Sequence, residues 1–400
     1  MTMLEDDLRE MFGACVQAPL APIDPAGSAI ARGRVRRTRR RMLASGIAVC
    51  TLAAMVAGLA VIKGFWAPDR PGGEGTVTFE ALYGAGSGGN PPADRPMPVI
   101  DLPIDLYQGT ALWTADGRRL VLPGVEQVIE VIRVPQGWLY SDDIRLRLLT
   151  TAGQAVSLRE GVASWAVSDD GASVASVSTD SKLAVQSAGG GGATKATAVP
   201  AGSRPSGFDG ARVVLNREGG GSDSWEPGDQ AYVEEGQPEL VAVYTAGSKQ
   251  AVGIVRDESK TCLVDLVAKT KGWLLGTRLG CADLLNYAAQ AGSGPGRAAR
   301  SPDGRWLAVP SPTGVHLIDI EASRQAIETS ALLDRPPVFG YSCISSPDAP
   351  AVWSDTATVV TISSANGVVA CDINGSRFAV ALPAGVSDGW DLVRRSGVTS

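Results

Sequence analysis

Residues 301–320, SPDGRWLAVPSPTGVHLIDI, contain the pattern that decides the fold. Asp303 and Gly304 form a turn signal, because glycine accepts the positive φ that closes an antiparallel hairpin. An alternating apolar run follows from Trp306, and a second apolar run, GVHLIDI, comes after the next turn. The stretch therefore predicts a hairpin followed by a further strand of the same sheet.

The same unit recurs about every 40 residues along the rest of the chain. Its turns are centred on Gly137, Gly171, Gly210, Gly247, Gly304, Asp348 and Gly389. A period near 40 with about four short strands fits a β-propeller blade, whose faces are buried by neighbouring blades. The sequence predicts an all-β fold, a seven-bladed propeller over residues 99–400.

Six blades remain the alternative, because residues 216–230, NREGGGSDSWEPGDQ, are more typical of a loop than of strands. The two ends of the domain also predict how the ring closes. Residues 387–398 are long enough for about two strands, and residues 110–123, TALWTADGRRLVLP, supply a spare hairpin. If these segments share a blade, no sheet edge is left open between the first and last blades.

A family resemblance rests on the same residues. SPDGRWLAV followed by TGVHLIDI resembles the repeat of TolB-like and WD-repeat-like propellers, and DDGASVASVS followed by KLAVQSA is similar. The resemblance covers roughly residues 105–400. It implies an Asp-Gly turn between the two inner strands and a third strand outside them, and it carries no catalytic residues.

An apolar segment precedes this domain. Residues 42–62, MLASGIAVCTLAAMVAGLAVI, contain no charge and as a helix would be about 31 Å long, close to the roughly 30 Å hydrocarbon core. Trp66 follows the segment, and basic residues precede it: Arg36, Arg37, Arg39, Arg40 and Arg41. This asymmetry predicts a single transmembrane helix over 42–66 in the plasma membrane, with a cytoplasmic N-terminus and an extracytoplasmic C-terminal domain. A cleaved signal peptide is the alternative, but its basic region would have to occupy residues 1–41.

The remaining N-terminal segments complete the predicted organisation. Residues 67–98 are rich in glycine and proline and predict a linker. Within residues 1–41, one face of an amphipathic helix would carry Leu4, Leu8, Met11 and Phe12. This face predicts either a docking site for a cytoplasmic protein or a poorly ordered tail. A short helix, an Arg-rich run, one span and an exported β domain together resemble bacterial membrane-bound regulators, including anti-sigma proteins.

Charge and cysteine usage limit the partners. After Trp66 the acidic residues exceed the basic ones by ten, so bulk electrostatics disfavour nucleic acid as a partner. Four cysteines lie in the predicted exported part, where disulfides persist. A hairpin would bring Cys262 opposite Cys281, which favours that pair together with Cys343 and Cys371 among the three possible pairings. With no CxxC and one histidine, no metal or cofactor is expected.

Catalytic patterns are weak. His316 occupies one position of a predicted strand, where a structural role is favoured, and no Ser-His-Asp arrangement is recognisable. Three carboxylate pairs could serve glycosidase chemistry, but their sequence context favours turn formation: Asp142 with Asp143, Asp169 with Asp170, and Asp388 with Asp391. About one tryptophan occurs per unit, favouring packing between blades over a ligand platform: Trp113, Trp138, Trp165, Trp273, Trp306, Trp353 and Trp390.

Together these patterns predict a non-enzymatic, membrane-anchored binding or scaffold protein whose propeller contacts a protein, peptide or envelope ligand. A transmembrane regulator whose N-terminal helix docks a cytoplasmic partner is the first alternative. A carboxylate-based envelope hydrolase is the second.

Overall fold

A computed structural model describes residues 97–192, 194–217, 220–228, 231–234, 237–246, 249–257, 260–269, 272–290, 298–328, 335–346, 349–363, 367–386 and 389–396. The predicted cytoplasmic segment 1–41, the transmembrane helix 42–66 and all but the last two residues of the linker 67–98 lie outside this description. None of the helices in the described ranges is long and apolar enough to cross a bilayer.

The described strands form seven sheets, which we number as blades I–VII in chain order. The first strand, β1 (Val99–Ile100), belongs to blade VII. Blade I contains β2 (Leu106–Gln108), β3 (Ala111–Trp113) and β4 (Arg119–Val121). Blade II contains β5 (Glu130–Val134), β6 (Gly137–Ser141), β7 (Arg145–Thr150) and β8 (Ala155–Glu160). Blade III contains β9 (Val162–Val167), β10 (Ser173–Ser178), β11 (Lys182–Ser187) and β12 (Lys195–Ala198). Blade IV contains β13 (Arg204–Asp209), β14 (Arg212–Asn216) and β15 (Ser222–Trp225).

The second half of the ring follows the same scheme. Blade V contains β16 (Leu240–Ala246), β17 (Lys249–Asp257), β18 (Lys260–Ala268) and β19 (Trp273–Cys281). Blade VI contains β20 (Ala299–Arg300), β21 (Trp306–Ser311), β22 (Gly314–Asp319) and β23 (Phe339–Cys343). Blade VII contains β24 (Ala351–Trp353), β25 (Thr358–Ile362), β26 (Val368–Asp372) and β27 (Arg377–Val380). The last two strands, β28 (Asp391–Leu392) and β29 (Arg394–Arg395), return to blades I and II.

The predicted seven-bladed architecture is therefore confirmed, and the six-bladed alternative is wrong. The segment predicted as a loop contains β15, which pairs with β14 through Val213 and Trp225 at one end and Asn216 and Ser222 at the other. Blade IV accordingly has three described strands where blades III, V and VI have four.

A shared turn geometry explains why the Asp-Gly pairs mark hairpins. In blade III the Ser168 hydroxyl donates to Asp170 Oδ1 at 2.6 Å, and the same oxygen accepts the amide of Ala172 at 2.9 Å. Gly171 completes the turn with φ +70°. Blade VI repeats this arrangement, with Ser301 donating to Asp303 Oδ1 at 2.6 Å. The aspartate thus satisfies local donors that the strands leave unpaired.

Two of the seven predicted hairpin turns connect blades instead. Asp348 lies outside the described residues, but the strands on either side of it, β23 and β24, belong to blades VI and VII. Gly389 lies between β27 of blade VII and β28 of blade I. The inner hairpin of blade VII is instead closed at Asp355, whose Oδ1 accepts the amides of Ala357 and Thr358 at 2.7 and 2.8 Å. Turn residues occur in both kinds of connection, so composition alone does not distinguish them.

The predicted sharing of one blade by the two ends of the domain is confirmed, and two more strand pairings also close the ring. β28 pairs antiparallel with β2, so the end of the chain shares blade I with residues 106–121. Two further pairings were not predicted: β1 lies parallel to β27 on blade VII, and β29 lies parallel to β5 on blade II. Residues from both ends of the domain therefore join blades VII, I and II.

Asp105 connects these blades at one point. Its carboxylate is 1% exposed and accepts the Trp138 indole N–H at 2.7 Å, the Ala115 amide at 2.7 Å and an Arg133 guanidinium N–H at 3.0 Å. The backbone oxygen of Asp105 accepts the amide of Val393, the residue between β28 and β29, at 2.9 Å. Blade I, blade II and the C-terminal strands are thus joined through one buried residue.

The tryptophans pack between blades, as predicted. All seven named in the sequence analysis are at most 9% exposed. Trp165 of blade III donates to the Ser141 hydroxyl of blade II, and Trp353 of blade VII donates to the Ala299 carbonyl of blade VI, both at 2.9 Å. Their rings fill the inter-blade core, and the indole N–H groups fix the position of the neighbouring blade.

Among the described residues, two short helices were not predicted: α1 (Leu285–Gln290) and α2 (Ile320–Glu328). α2 begins directly after β22, because Asp319 caps its first turn by accepting the Ala322 amide at 3.0 Å. The helix also links two blades, since Arg324 pairs with Asp265 of blade V at 2.7 Å.

Candidate functional site

The inner strands of the blades enclose a cavity of about 330 Å³. Neighbouring inner strands contact one another in the order β9, β13, β16, β20, β24 and β29. The cavity is lined by residues of these strands together with β5 and β28, so every blade contributes to it. Its position follows from the fold, because the innermost strand of each blade faces the axis of a propeller.

Charged side chains lie near the beginning of the inner strands. We call this group the strand-start rim and define it by Glu130, Asp391 and Arg394, all of which line the cavity. Glu130 and Arg394 form an ion pair. The Tyr107 hydroxyl donates to the Ile129 carbonyl at 2.9 Å and lies 3.4 Å from Asp391 Oδ2. The rim therefore has a net charge of −1 when all three groups are ionised.

Burial controls the ionisation of this rim. Desolvation raises the pKa of Asp391, and the Leu392 amide and the Tyr107 hydroxyl partly offset this by donating to the carboxylate. The pKa of Tyr107 is also raised, first by burial and then by the nearby Asp391. An approaching cation would be stabilised by the Asp391 carboxylate and would lower its pKa.

A second charged group lies where the inner strands end. We call it the turn rim and define it by Asp169, Arg300 and Arg395, which also line the cavity. Asp169 and Arg300 lie at the inner hairpin turns of blades III and VI. Arg395 reaches the same end because it pairs with Arg133, near the end of β5, and is followed by Ser396, which packs against the Gly171 turn. The turn rim has a net charge of +1.

The arginines of the turn rim donate to backbone carbonyls. Arg300 donates from Nη1 to the Gln250 and Tyr244 carbonyls at 2.8 and 3.2 Å and from Nε to the Gly304 carbonyl at 2.9 Å. Burial, and next the nearby positive charge of Arg324, lower the pKa of Arg300 to about 10, while Asp169 acts in the opposite direction. Arg395 donates to the Pro103 carbonyl at 3.3 Å, but its Nε is buried with no hydrogen-bond partner among the described residues.

The two rims are separated along the strand direction. Glu130 and Arg133 are three residues apart on β5, and Arg395 lies opposite Arg133. Arg394 is next to Arg395 in the chain and lies opposite Ile132, but its side chain extends to Glu130 and so belongs to the strand-start rim. At about 3.3 Å per residue the separation is roughly 10 Å. The cavity is therefore negative at one end and positive at the other.

The predicted disulfides are confirmed. Cys262 is bonded to Cys281, which lies opposite it in the β18–β19 pair. Cys343 is bonded to Cys371, which joins β23 of blade VI to β26 of blade VII. One bridge thus closes a hairpin within a blade and the other connects neighbouring blades.

His316 is a buried strand residue, 7% exposed. Its Nε2 lies 3.0 Å from the hydroxyls of Ser311 and Thr313, and its Nδ1 lies 2.9 Å from the Ser342 hydroxyl. Burial lowers the pKa of the imidazole. These contacts hold the end of the β21–β22 hairpin against β23, which confirms the predicted structural role.

The carboxylate pairs divide between turns and the cavity. Asp142 accepts the amides of Ile144 and Arg145 at 3.0 and 2.6 Å, and Asp170 occupies the turn described above, so one member of each of these pairs has the predicted role in a turn. Asp391 was paired with Asp388, which lies outside the described residues. Asp391 instead belongs to the strand-start rim, and Asp169 belongs to the turn rim.

The other predicted site residues belong to the N-terminal region. The docking residues Leu4, Leu8, Met11 and Phe12 and the flanking residues Arg36, Arg37, Arg39, Arg40, Arg41 and Trp66 lie outside the described residues. Within the described ranges, no group of three or more His, Cys, Asp or Glu side chains could hold a metal ion.

Similarity to known proteins is confined to solved structures. No protein-family model matches the chain, and no curated protein does. Among solved structures, BamB from Moraxella catarrhalis is 12% identical over 63% of this chain and 71% of that chain, with a TM-score of 0.40. The β-propeller domain of Myceliophteria thermophila Cps50 (Swd1) is 12% identical over 68% and 91%, with a TM-score of 0.47. The C-terminal WD40 domain of Sif2 is 13% identical over 65% and 74%, with a TM-score of 0.43.

The described strands fold as a seven-bladed propeller. The assignment rests on the strand order and pairing described above, and the neighbours assign no function to the cavity.

Sequence reasoning did not identify Arg300, Arg394 or Arg395 as cavity residues. Their one available signal was position: Arg300 directly precedes an Asp-Gly turn unit, and the two others lie in the C-terminal segment predicted to close the ring. Which side of a short strand faces the axis depends on its pairing, and β29 pairs with a strand more than 250 residues away.

Proposed function

We propose that this chain is a membrane-anchored binding or scaffold protein that holds its propeller outside the cytoplasm. In this function the propeller contacts a protein, peptide or envelope ligand and performs no catalysis. The observation that carries the proposal is the central cavity, whose two rims present opposite net charges to a space lined by all seven blades. Cavities of about 300 Å³ and above with a few placed polar groups are typical of ligand sites.

Anchoring is supported by the sequence of the N-terminal region. Residues 42–62 are uncharged and long enough to span a bilayer, and the arginines before them favour a cytoplasmic N-terminus. The two disulfides of the propeller agree with an oxidising, extracytoplasmic location.

A fractionation experiment tests the anchor. The full chain should sediment with membranes and resist carbonate extraction, whereas a chain lacking residues 42–62 should not. A matched variant, Leu52→Arg with Val56→Arg, keeps the length of the segment and should also fail to sediment with membranes. Each arginine at the centre of a transmembrane helix raises the free energy of insertion by about 2.5–3.5 kcal/mol. Equal sedimentation of all three proteins would refute the anchor.

Sidedness has its own test. Protease added to intact spheroplasts should digest the propeller and spare an epitope placed before Met1. Protection of the propeller under conditions where a periplasmic marker is digested would contradict the proposed orientation.

The regulator alternative is favoured by one observation, the helical spacing of the apolar residues Leu4, Leu8, Met11 and Phe12 in the sequence. A pull-down with residues 1–41 should recover a cytoplasmic protein that the variant Leu8→Asp with Phe12→Asp does not recover. Identical recoveries from the two baits would reject this alternative and leave the binding function outside the membrane unaffected.

A further inference from the structure

We propose that the central cavity binds a short peptide in extended conformation, with its free amino group at the strand-start rim and its free carboxylate at the turn rim. This inference rests on the proposed binding function and assigns the ligand class of the same site. The charges, dimensions and strand edges of the cavity each support it.

The charge distribution matches a ligand with two opposite ends. The strand-start rim contains two carboxylates against one guanidinium, and the turn rim contains two guanidinium groups against one carboxylate. Glu130 and Arg394 neutralise each other, which leaves Asp391 to receive a cation. At the turn rim, the guanidinium groups of Arg300 and Arg395 exceed the Asp169 carboxylate by one charge, which a ligand carboxylate would balance.

The dimensions select the ligand length. The rims lie roughly 10 Å apart along the strands, and an extended chain advances about 3.3–3.6 Å per residue. A three-residue peptide therefore places its two terminal charges at the two rims. A single amino acid would reach only one of them.

The walls of the cavity offer backbone partners. In blades III, IV, V, VI and VII, each inner strand pairs with one described neighbour on its outer side, so its other edge faces the axis. An unpaired strand edge presents N–H and C=O groups that an extended peptide can bind as an added strand. Ser206, at the bulge in β13, also lines the cavity.

The test uses the full chain in detergent and four synthetic probes: trialanine, N-acetyl-trialanine, trialanine amide, and trialanine blocked at both ends. Calorimetry should show one saturable site for trialanine. Blocking either end should weaken binding at least tenfold, because each block removes one charge-assisted contact. Trp165 and Trp353 line the cavity, so their fluorescence gives a second readout.

Two variants assign the ends of the ligand. Asp391→Asn should weaken the binding of trialanine. It should leave the affinity for N-acetyl-trialanine unchanged, because that peptide has no free amino group to contact Asp391. Arg395→Gln should weaken the binding of trialanine but leave the affinity for trialanine amide unchanged. Arg395→Lys should restore part of the affinity for trialanine. Arg278→Gln is a matched control, because Arg278 pairs with Asp257 on the surface of blade V and should not affect binding.

Thermal melts establish that each variant is folded before binding is compared. If trialanine shows no saturable binding, or if the doubly blocked peptide binds equally well, the inference is wrong. Neither result affects the fractionation and sidedness tests, so a failure of the peptide assignment can be distinguished from a failure of the proposed function.

Discussion

Asp105→Ala should destabilise the propeller far more than removal of an ordinary surface carboxylate. The substitution leaves the Trp138 indole N–H without its partner, and Trp138 is 0% exposed. A buried donor left unsatisfied costs about 1–3 kcal/mol. The amide of Ala115 loses its acceptor as well.

Arg133 adds less to this cost, because its side chain is 33% exposed and can regain water. Removing one partner of a buried charged pair costs about 3–5 kcal/mol, and we expect the total within that range. Since a change of 1 kcal/mol shifts Tm by about 2–4 °C in domains of 150–250 residues, the melting temperature should fall by roughly 10 °C. Asp105→Asn keeps one acceptor oxygen and should lie between the wild type and the alanine variant.

Guanidinium unfolding of the full chain in detergent, followed by tryptophan fluorescence and near-UV circular dichroism, measures this difference. Asp257→Ala is the matched control: its ion pair with Arg278 spans 3.1 Å between side chains that are 57% and 37% exposed, and its loss should cost less than about 1 kcal/mol. If the two variants unfold at the same denaturant concentration, Asp105 does not join blades I and II in the way described.

Three further predictions concern the titrating groups and the disulfides. Because the chain has a single histidine, an NMR titration reports on His316 alone, and its pKa should lie below 6.5. The unfolded state then binds a proton more readily than the folded state, so the free energy of unfolding should fall as the pH drops below 6.5, and His316→Gln should remove that fall. Because burial raises the pKa of Asp391, this carboxyl keeps its proton in the folded state at pH values above 3.8 where the unfolded state has lost it. The free energy of unfolding should therefore decrease as the pH rises above 3.8, and Asp391→Asn should abolish this decrease. Replacing Cys343 and Cys371 by serine should cost about 3.6 kcal/mol, from the 28-residue separation, and a loss below 1 kcal/mol in chemical unfolding would show that the bridge is dispensable.

Much of the fold could be predicted from the sequence because its turns are stabilised by local contacts. The Ser-x-Asp-Gly turns at Gly171 and Gly304 satisfy their own donors within five residues, so the hairpins they close follow from adjacent sequence. The Cys262 to Cys281 pairing was predictable for the same reason, because a hairpin fixes which residues lie opposite each other.

Non-local contacts were harder to infer. The position of β1 against β27, and that of β29 against β5, join residues more than 250 positions apart, and a two-residue strand carries no periodicity from which to predict its neighbour. Blade IV was read partly as a loop because glycine-rich turns surround its short outer strand, whose burial comes from tertiary packing.

By itself, the sequence determined the all-β class, the Cys262–Cys281 pair and the packing role of the tryptophans, since each depends on residue type and short spacing. The choice of seven blades over six, and of Cys343 as the partner of Cys371, follows from the pairing of strands in the folded chain. Tertiary structure alone decided which charges face the axis. Asp169 and Arg300 belong to separate hairpin turns in the sequence, and closure of the ring places both on the cavity wall with Arg395. The opposite rims of the cavity arise from this closure, because every inner strand of a propeller begins at one end of the axis and ends at the other.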